Sequence, residues 1–289
     1  MARIAYVNGR YVRRDMGVVS IDDRGYQFAE GVYEVIWVQK GNLVDLEHHL
    51  DRLGCSLESL NIPWPMGRPA LKVVVGEVAR RNLIVNGHVY IQATRGVARR
   101  THLVPEDTPS SLVVTASREG FRDARVHEQG VAVITIPDIR WKRCDIKSIA
   151  LLPNILGKQK ASREKAFDAW QVNGHDIITE GTTTNAWIVA HSGEVITHPA
   201  NRSILSGITR RVVMELAAGE GLDVCERPFT VAEARGAKEA FMTSTTNYVV
   251  PVVSIDGHKV GDGRPGPVTS GLYKRYLAHM AGEQEGEGE

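Results

Sequence analysis

The sequence predicts an α+β protein of two domains, and three observations carry that reading. Apolar residues alternate with period two in short runs scattered over both halves of the chain, the pattern of half-buried strands. Between them, Leu46, Leu50, Leu53, Leu57 and Leu60 recur at steps of four and three, one apolar stripe on a helix. A polar stretch at 118–129 then interrupts the apolar pattern and marks a boundary between domains. The expected division is a small N-terminal α/β domain over 1–118, a larger C-terminal domain over 119–282, and an acidic, apolar-free tail over 283–289 that is expected to be disordered.

The elements follow in order. A strand at 4–7 meets a turn at Asn8-Gly9 and a second strand at 10–12, a hairpin signature. GVYEVIWVQ at 31–39 is rich in β-branched and aromatic residues and reads as a strand ended by Gly41-Asn42. The leucine-striped helix comes next, then a second helix over about 69–82 with Leu71, Val74, Val75 and Val78 inward. Strands return at 88–96 and 111–116. The second half holds strands near 131–136, 185–190, 194–197 and 239–243, a helix over 152–170 and another beginning near Gly207.

Composition narrows the function. With 289 residues, 43% hydrophobic and 24% charged, the chain buries a core without staples. A net charge of +1 gives no electrostatic footprint for nucleic acid or an anionic membrane, so a small-molecule partner is expected. Cys55, Cys144 and Cys225 are scattered and odd in number, which suits reduced thiols better than disulfides or zinc. The ten histidines lack metal-ligand spacing, so no metal site is expected. The N-terminus has no apolar h-region and no apolar run would span a bilayer, so a cytoplasmic protein is expected.

Four clusters carry chemistry-bearing residues, each with two readings. Ser206-Gly207-Ile208-Thr209 opens a helix, where unpaired N–H groups accept a phosphate or simply start a capped helix. Thr243-Ser244-Thr245-Thr246 follows a strand and suits phosphate oxygens or an ordinary turn. Glu180 precedes a glycine and the hydroxyl run Thr182-Thr183-Thr184, as a catalytic acid or a solvated loop carboxylate. Lys147 stands beside the apolar run 149–152. Partial desolvation there would lower its pKa and make its amine nucleophilic; otherwise it snorkels to solvent.

Taken together, these segments resemble the fold-type-IV pyridoxal-phosphate enzymes, and within them the D-amino acid aminotransferase family. The matching segments run in the family's order: RGYQF at 24–28, GVYEV at 31–35, HLDRL at 49–53, TRG at 94–96 and RTH at 100–102. DIRW at 138–141, RCDIKS at 143–148, TEG at 179–181, HPAN at 198–201, ILSGITR at 204–210 and TSTT at 243–246 complete the set. The resemblance covers residues 6 to about 277. It implies a small α/β domain beside a larger pseudo-barrel β domain with helices.

The resemblance also implies roles. Lys147 would bind pyridoxal 5′-phosphate as a Schiff base and shuttle the proton between Cα and C4′. Glu180 would keep the pyridine nitrogen protonated, so that the ring is an electron sink. Arg52 would pair with the phosphate, a bidentate task suited to guanidinium. Gly207, Ile208, Thr209, Ser244, Thr245 and Thr183 would complete the cofactor site, and Leu205 would press on one ring face. Arg100 and His102, with Tyr33 and Tyr90, would form the trap for the substrate carboxylate; one residue apart on an extended loop, the first two point the same way. The loop would serve the neighbouring subunit's site, which implies a homodimer with shared active sites. Substrates would be D-amino acids of the D-alanine and D-glutamate type and 2-oxo acids. Threonines at 182–184 stand where relatives commonly carry serines, and their methyls are expected to disfavour bulky substrates. Branched-chain L-amino acid aminotransferase, aminodeoxychorismate lyase and (R)-amine transaminase share the fold and the lysine; Arg100 and His102 favour D-amino acids over all three. A non-catalytic carrier of the cofactor would need no electron sink.

Overall fold

The computed structural model describes residues 3–104, 106–118 and 125–282. They divide into two compact units. The first takes Met1–Arg122 and Ile146–Leu151; the second takes Asp123–Asp145 and Leu152–Glu289. The single cut expected at 118 therefore misses a return: six residues carrying Lys147 belong to the first unit. The expected tail at 283–289 lies outside the described residues.

The first unit holds β1 (Ile4–Val7), β2 (Arg10–Arg13), α1 (Arg24–Phe28), β3 (Gly31–Gln39), β4 (Asn42–Leu43), α2 (Leu46–Ser59), α3 (Arg68–Arg81), β5 (Gly87–Thr94) and β6 (Ser111–Arg118). The strands form one antiparallel sheet in the order β2-β1-β6-β5-β3-β4. Its first hairpin closes through Asn8-Gly9, both at positive φ, with Val7 opposite Arg10. Alternation does the sorting along β3. Val32, Ile36 and Val38 join the core and Glu34 is buried on the same side, while Tyr33 and Val35 stay half-buried on the other. Leu50, Leu53 and Leu57 of α2 and Leu71, Val75 and Val78 of α3 complete that core.

The second unit holds α4 (Arg125–Gln129), β7 (Val131–Pro137), α5 (Leu152–Arg163), β8 (Asp168–Val172), β9 (Ile178–Gly181), β10 (Asn185–Val189), β11 (Val195–Thr197), α6 (Ile208–Gly219), β12 (Val224–Glu226), α7 (Val231–Arg235), β13 (Glu239–Ser244), β14 (Tyr248–Ile255), β15 (His258–Lys259) and α8 (Pro267–Ala281). A mixed sheet runs β12-β11-β10-β13-β14-β7-β8-β9, with β15 against β14. The short connection at 182–184 also brings the end strand β9 beside β10, so the sheet curls back on itself in the manner of a partial barrel. Trp170, Ile178, Ile188, Phe229 and Met242 fill its interior. Among the described residues, no helix is long and apolar enough to cross a membrane.

One expected helix is too long. α5 ends at Arg163 and Lys165 takes a left-handed conformation at φ 57°, after which β8 begins at Asp168. Every residue of β8 up to Gln171 is buried, so the apolar run that reads as a continued helix is a strand covered on both faces.

The leucine stripe tests directly. Leu53 is fully buried in the first unit's core, so Leu53→Ala should cost about 3 kcal/mol. Denaturant unfolding of the purified variant measures it; a cost below about 1 kcal/mol would mean that the core closes over the missing methyls.

Candidate functional site

Lys147 is placed by backbone pairing. Tyr33 N–H donates to Lys147 O and Ile149 N–H donates to Gly31 O, both at 3.0 Å, while Val32 and Ser148 form an antiparallel bridge. Lys147 N–H donates to Ser56 Oγ of α2 at 3.2 Å. The half-buried side chain then runs over the Tyr33 ring, with Nζ 4.3 Å from its centroid. Tyr33 stacks on Tyr90 at 5.6 Å, and Tyr90 Oη donates to Gln92 Oε1 at 2.8 Å. Burial and the neighbouring Tyr33 push the Tyr90 phenol up to about 12, so it remains a donor.

Behind that face of β3 lies a buried charge cluster that sequence reasoning missed. Glu34 accepts from Arg52 Nε on one oxygen and Arg52 Nη2 on the other, both at 2.8 Å, and His49 Nδ1 lies 2.8 Å from Oε2. Burial works to raise the Glu34 carboxyl, but Arg52 and His49 outweigh it and hold it down at about 2. Burial keeps His49 neutral, opposed by Glu34 and helped by the charges of Arg52 and Lys147. An ionised carboxylate only accepts, so His49 carries its proton on Nδ1. The fork expected to face a phosphate is thus engaged on Glu34 through Nε and Nη2. The signal was present: a lone acid inside an apolar strand, with histidine and arginine three residues apart on the next helix.

Arg100 and His102 lie on an exposed loop that is not a strand, so strand periodicity does not align them. They nevertheless meet the same ring. Arg100 Cζ is 4.7 Å from the Phe28 centroid, and the His102 ring is tilted against Phe28 at 5.7 Å. The loop leaves β5 through Gly96, at φ +94°, where an added Cβ would sit 2.0 Å from Pro109 O.

In the second unit, Glu180 is buried at the end of β9. Its Oε2 accepts from Asn185 Nδ2 and from Leu205 N–H, each at 3.0 Å, and its Oε1 pairs with Arg140 Nη1. Burial pushes this carboxyl up to about 7 against the lowering pull of Arg140 and the Leu205 N–H. Arg140, another residue without an assigned role in the sequence reading, is shared with Asp138, whose Oδ2 lies 2.7 Å from Nη2. Asn185 Nδ2 also donates to Leu205 O at 2.9 Å, tying Glu180 to the loop before α6.

That loop ends in Gly207, the N-cap of α6, which has no side-chain cap. An added Cβ there would meet Asn185 Oδ1 at 2.1 Å, so only glycine fits. Ile208 and Thr209 are buried in the first turn, and Thr209 Oγ1 lies 3.3 Å from Tyr276 Oη. First-turn N–H groups without a side-chain acceptor suit an anion. β10 pairs Asn185 with Thr243 of β13, so Ser244 and Thr245 continue from the neighbouring strand. Ser244 Oγ accepts from Asn247 N–H at 3.1 Å, which makes this cluster a turn as well.

The threonine run divides. Thr182 and Thr184 are buried and both hydroxyls donate to Asp168, Thr184 at 3.0 Å. Thr183 alone is exposed.

Comparison with known proteins adds an independent finding. Residues 31–255 match the family described as amino-transferase class IV. The chain is 40% identical over 276 residues to a D-alanine aminotransferase of Listeria innocua, covering 95% of each chain. It is 38% identical over 275 residues to one of Staphylococcus epidermidis, covering 95% of this chain and 97% of that one. Its fold matches a branched-chain amino acid aminotransferase of Escherichia coli with a TM-score of 0.91, at 24% identity over 99% of this chain and 97% of the other.

The Glu34 cluster sets a pH dependence. Because the folded carboxyl titrates at about 2 rather than 4.5, the unfolded chain binds more protons between those values. Its contribution, roughly 3 kcal/mol, is present above pH 4.5 and is lost as pH falls toward 2. Unfolding midpoints of the wild type and Glu34→Gln, compared at pH 6 and pH 3, should converge at the lower pH; a constant gap would contradict this origin of the cluster's stability.

Proposed function

This chain belongs to the class IV aminotransferase family, and from that premise we propose that it moves an amino group between a D-amino acid, of the D-alanine or D-glutamate type, and a 2-oxo acid. The observation that carries the substrate reading is the near-full-length similarity to D-alanine aminotransferases at 38–40% identity. Arg100 and His102 on one aromatic ring support it, since two donors held together suit a carboxylate. The branched-chain likeness, at 24% identity, speaks for the fold.

The residues fit pyridoxal 5′-phosphate as cofactor. A half-buried lysine amine lies over an aromatic face, a buried carboxyl is pinned by three donors, and a helix start lacks a side-chain cap. When bound, the cofactor supplies a sink for the electron pair left on Cα when its proton departs. Lys147 Nζ would hold the cofactor covalently and would carry that proton. Glu180 keeps a proton on the ring nitrogen; Arg140 and Asn185 keep the carboxylate in one orientation for that task. Ile208 and Thr209, with Gly207, Ser244 and Thr245, hold the phosphate by N–H and hydroxyl donors. Arg52 adds positive charge in a pose that Glu34 fixes. Leu205 and Thr183 would line the space for the ring. Tyr33, Tyr90, Arg100 and His102 bind the substrate.

The protein works as a homodimer in which the Arg100 loop serves the partner's site. Exposed apolar residues in and beside that loop, among them Ile21, Leu103 and Val104, support an interface there.

A half-reaction tests the reading. Protein loaded with the cofactor should lose its aldehyde-form absorbance on adding D-alanine, and not with L-alanine, L-leucine or an (R)-amine. Response to L-leucine instead would move the protein to the branched-chain class. Lys147→Ala should still bind the cofactor, release it on denaturation after borohydride treatment, and lose turnover.

A further inference from the structure

The loop that carries Arg100 and His102 is exposed and irregular. A clamp built from long side chains on such a loop loses rotamer freedom when it closes on a carboxylate, which weakens binding. The surrounding residues reduce that loss in two ways.

The first is Arg24. Its side chain is buried, its Nε is paired with Glu30 Oε2, and its Nη1 donates to Thr101 O at 2.7 Å. Thr101 lies between the two clamp residues, so Arg24 holds the peptide that separates them. Glu30 is itself fixed from the other side, because Arg95 Nε donates to Oε1 at 2.8 Å while Arg95 grips the carbonyls of Leu60 and Asn61. Arg24 therefore has one pose. The backbone agrees: Arg24 N–H donates to Gly96 O at 2.9 Å and Ala98 N–H to Asp22 O at 3.2 Å, so α1 and the loop form one body.

The second is Phe28. Its ring is approached by Arg24 Cζ at 4.8 Å and Arg100 Cζ at 4.7 Å, and by the His102 ring at 5.7 Å with an interplanar angle of 56°. A guanidinium on an aromatic face keeps its N–H groups free to point outward in its own plane.

We propose that Phe28 and Arg24 are positioning residues for substrate binding: Phe28 presents Arg100 and His102 together, and Arg24 fixes the peptide between them, so that the pair meets a carboxylate already arranged. The proposal rests on the reading of Arg100 and His102 as the carboxylate clamp. Both residues act through Arg100, His102 and the peptide between them, so the effect belongs to KM and not to kcat.

The test uses the holoenzyme, with D-alanine as substrate and propionate as a competing carboxylate that cannot react. Phe28→Leu should raise the KM for D-alanine and the Ki for propionate in parallel, by about fivefold or more, with kcat held within about twofold. Phe28→Tyr keeps the ring and should restore both constants. Arg24→Gln should act in the same direction; should it fail to fold, the Phe28 pair decides. If Arg100→Ala raises both constants and Phe28→Leu raises neither, the positioning role is wrong and the clamp stands. If Arg100→Ala leaves both unchanged, the clamp reading itself fails and takes this inference with it. A fall in kcat and Tm at unchanged KM would mark Phe28 as structural only.

Discussion

The placement of Lys147 depends on a short return of the main chain. Residues Ile146–Leu151 belong to the first unit, where they lie along the Gly31–Tyr33 end of β3. Backbone bonds on either side of Lys147 fix its Cα, and Ser56 of α2 holds its N–H. The side chain is left to cross Tyr33, with His49 and Arg52 nearby on the helix behind. The role proposed for this lysine, forming and breaking a covalent bond, needs a firm base and a free tip. Pairing the backbone while leaving Nζ over an aromatic face supplies both.

A second regularity is the way buried and half-buried acids are held. Glu34 takes Arg52 and His49, Glu30 takes Arg24 and Arg95, and Glu180 takes Arg140 with Asn185 and Leu205. Buried ion pairs add little net stability over a well-packed apolar replacement, since desolvation offsets attraction, but protonating or removing one partner is costly. Their use here is geometric. Glu34 orients Arg52, Glu30 orients Arg24, and Arg140 with Asn185 orients Glu180. In each case a flexible charged group is reduced to one pose next to a residue with a proposed role.

The sequence carried the parts of this that are local. The β-branched and aromatic run along 31–39 and the leucine stripe from Leu46 to Leu57 are signals carried within a few residues, and the structure has β3 and α2 there. The helix end at Arg163 was not legible, because β8 is buried on both faces and shows no alternation to separate it from a helix. The return of 146–151 was not legible either, since it depends on contacts more than a hundred residues away along the chain. Arg140 lay in a recognised segment, but only the fold brings it to Glu180. Glu34 was legible in principle: an acid in an apolar strand needs a partner, and the nearest helix offered two.

The threonine run illustrates how burial changes the meaning of a residue pattern. As sequence, Thr182-Thr183-Thr184 reads as three added methyls crowding one site. In the fold, Thr182 and Thr184 turn their hydroxyls into Asp168, a fully buried carboxylate that also lies 3.6 Å from Lys158 Nζ and accepts from Ala169 N–H at 2.9 Å. Asp168 is satisfied by these donors, and replacing either hydroxyl by a methyl would leave it short of one. Gly181 is part of the same arrangement, since a Cβ there would meet Thr184 Oγ1 at 2.1 Å and Asp168 Oδ2 at 2.7 Å. Two of the three threonines therefore brace the turn that follows Glu180, and any effect of this run on substrate size falls on Thr183, whose side chain alone is exposed. Serine at 182 and 184 would keep the same bonds, so the threonine methyls there are a matter of packing within the second unit.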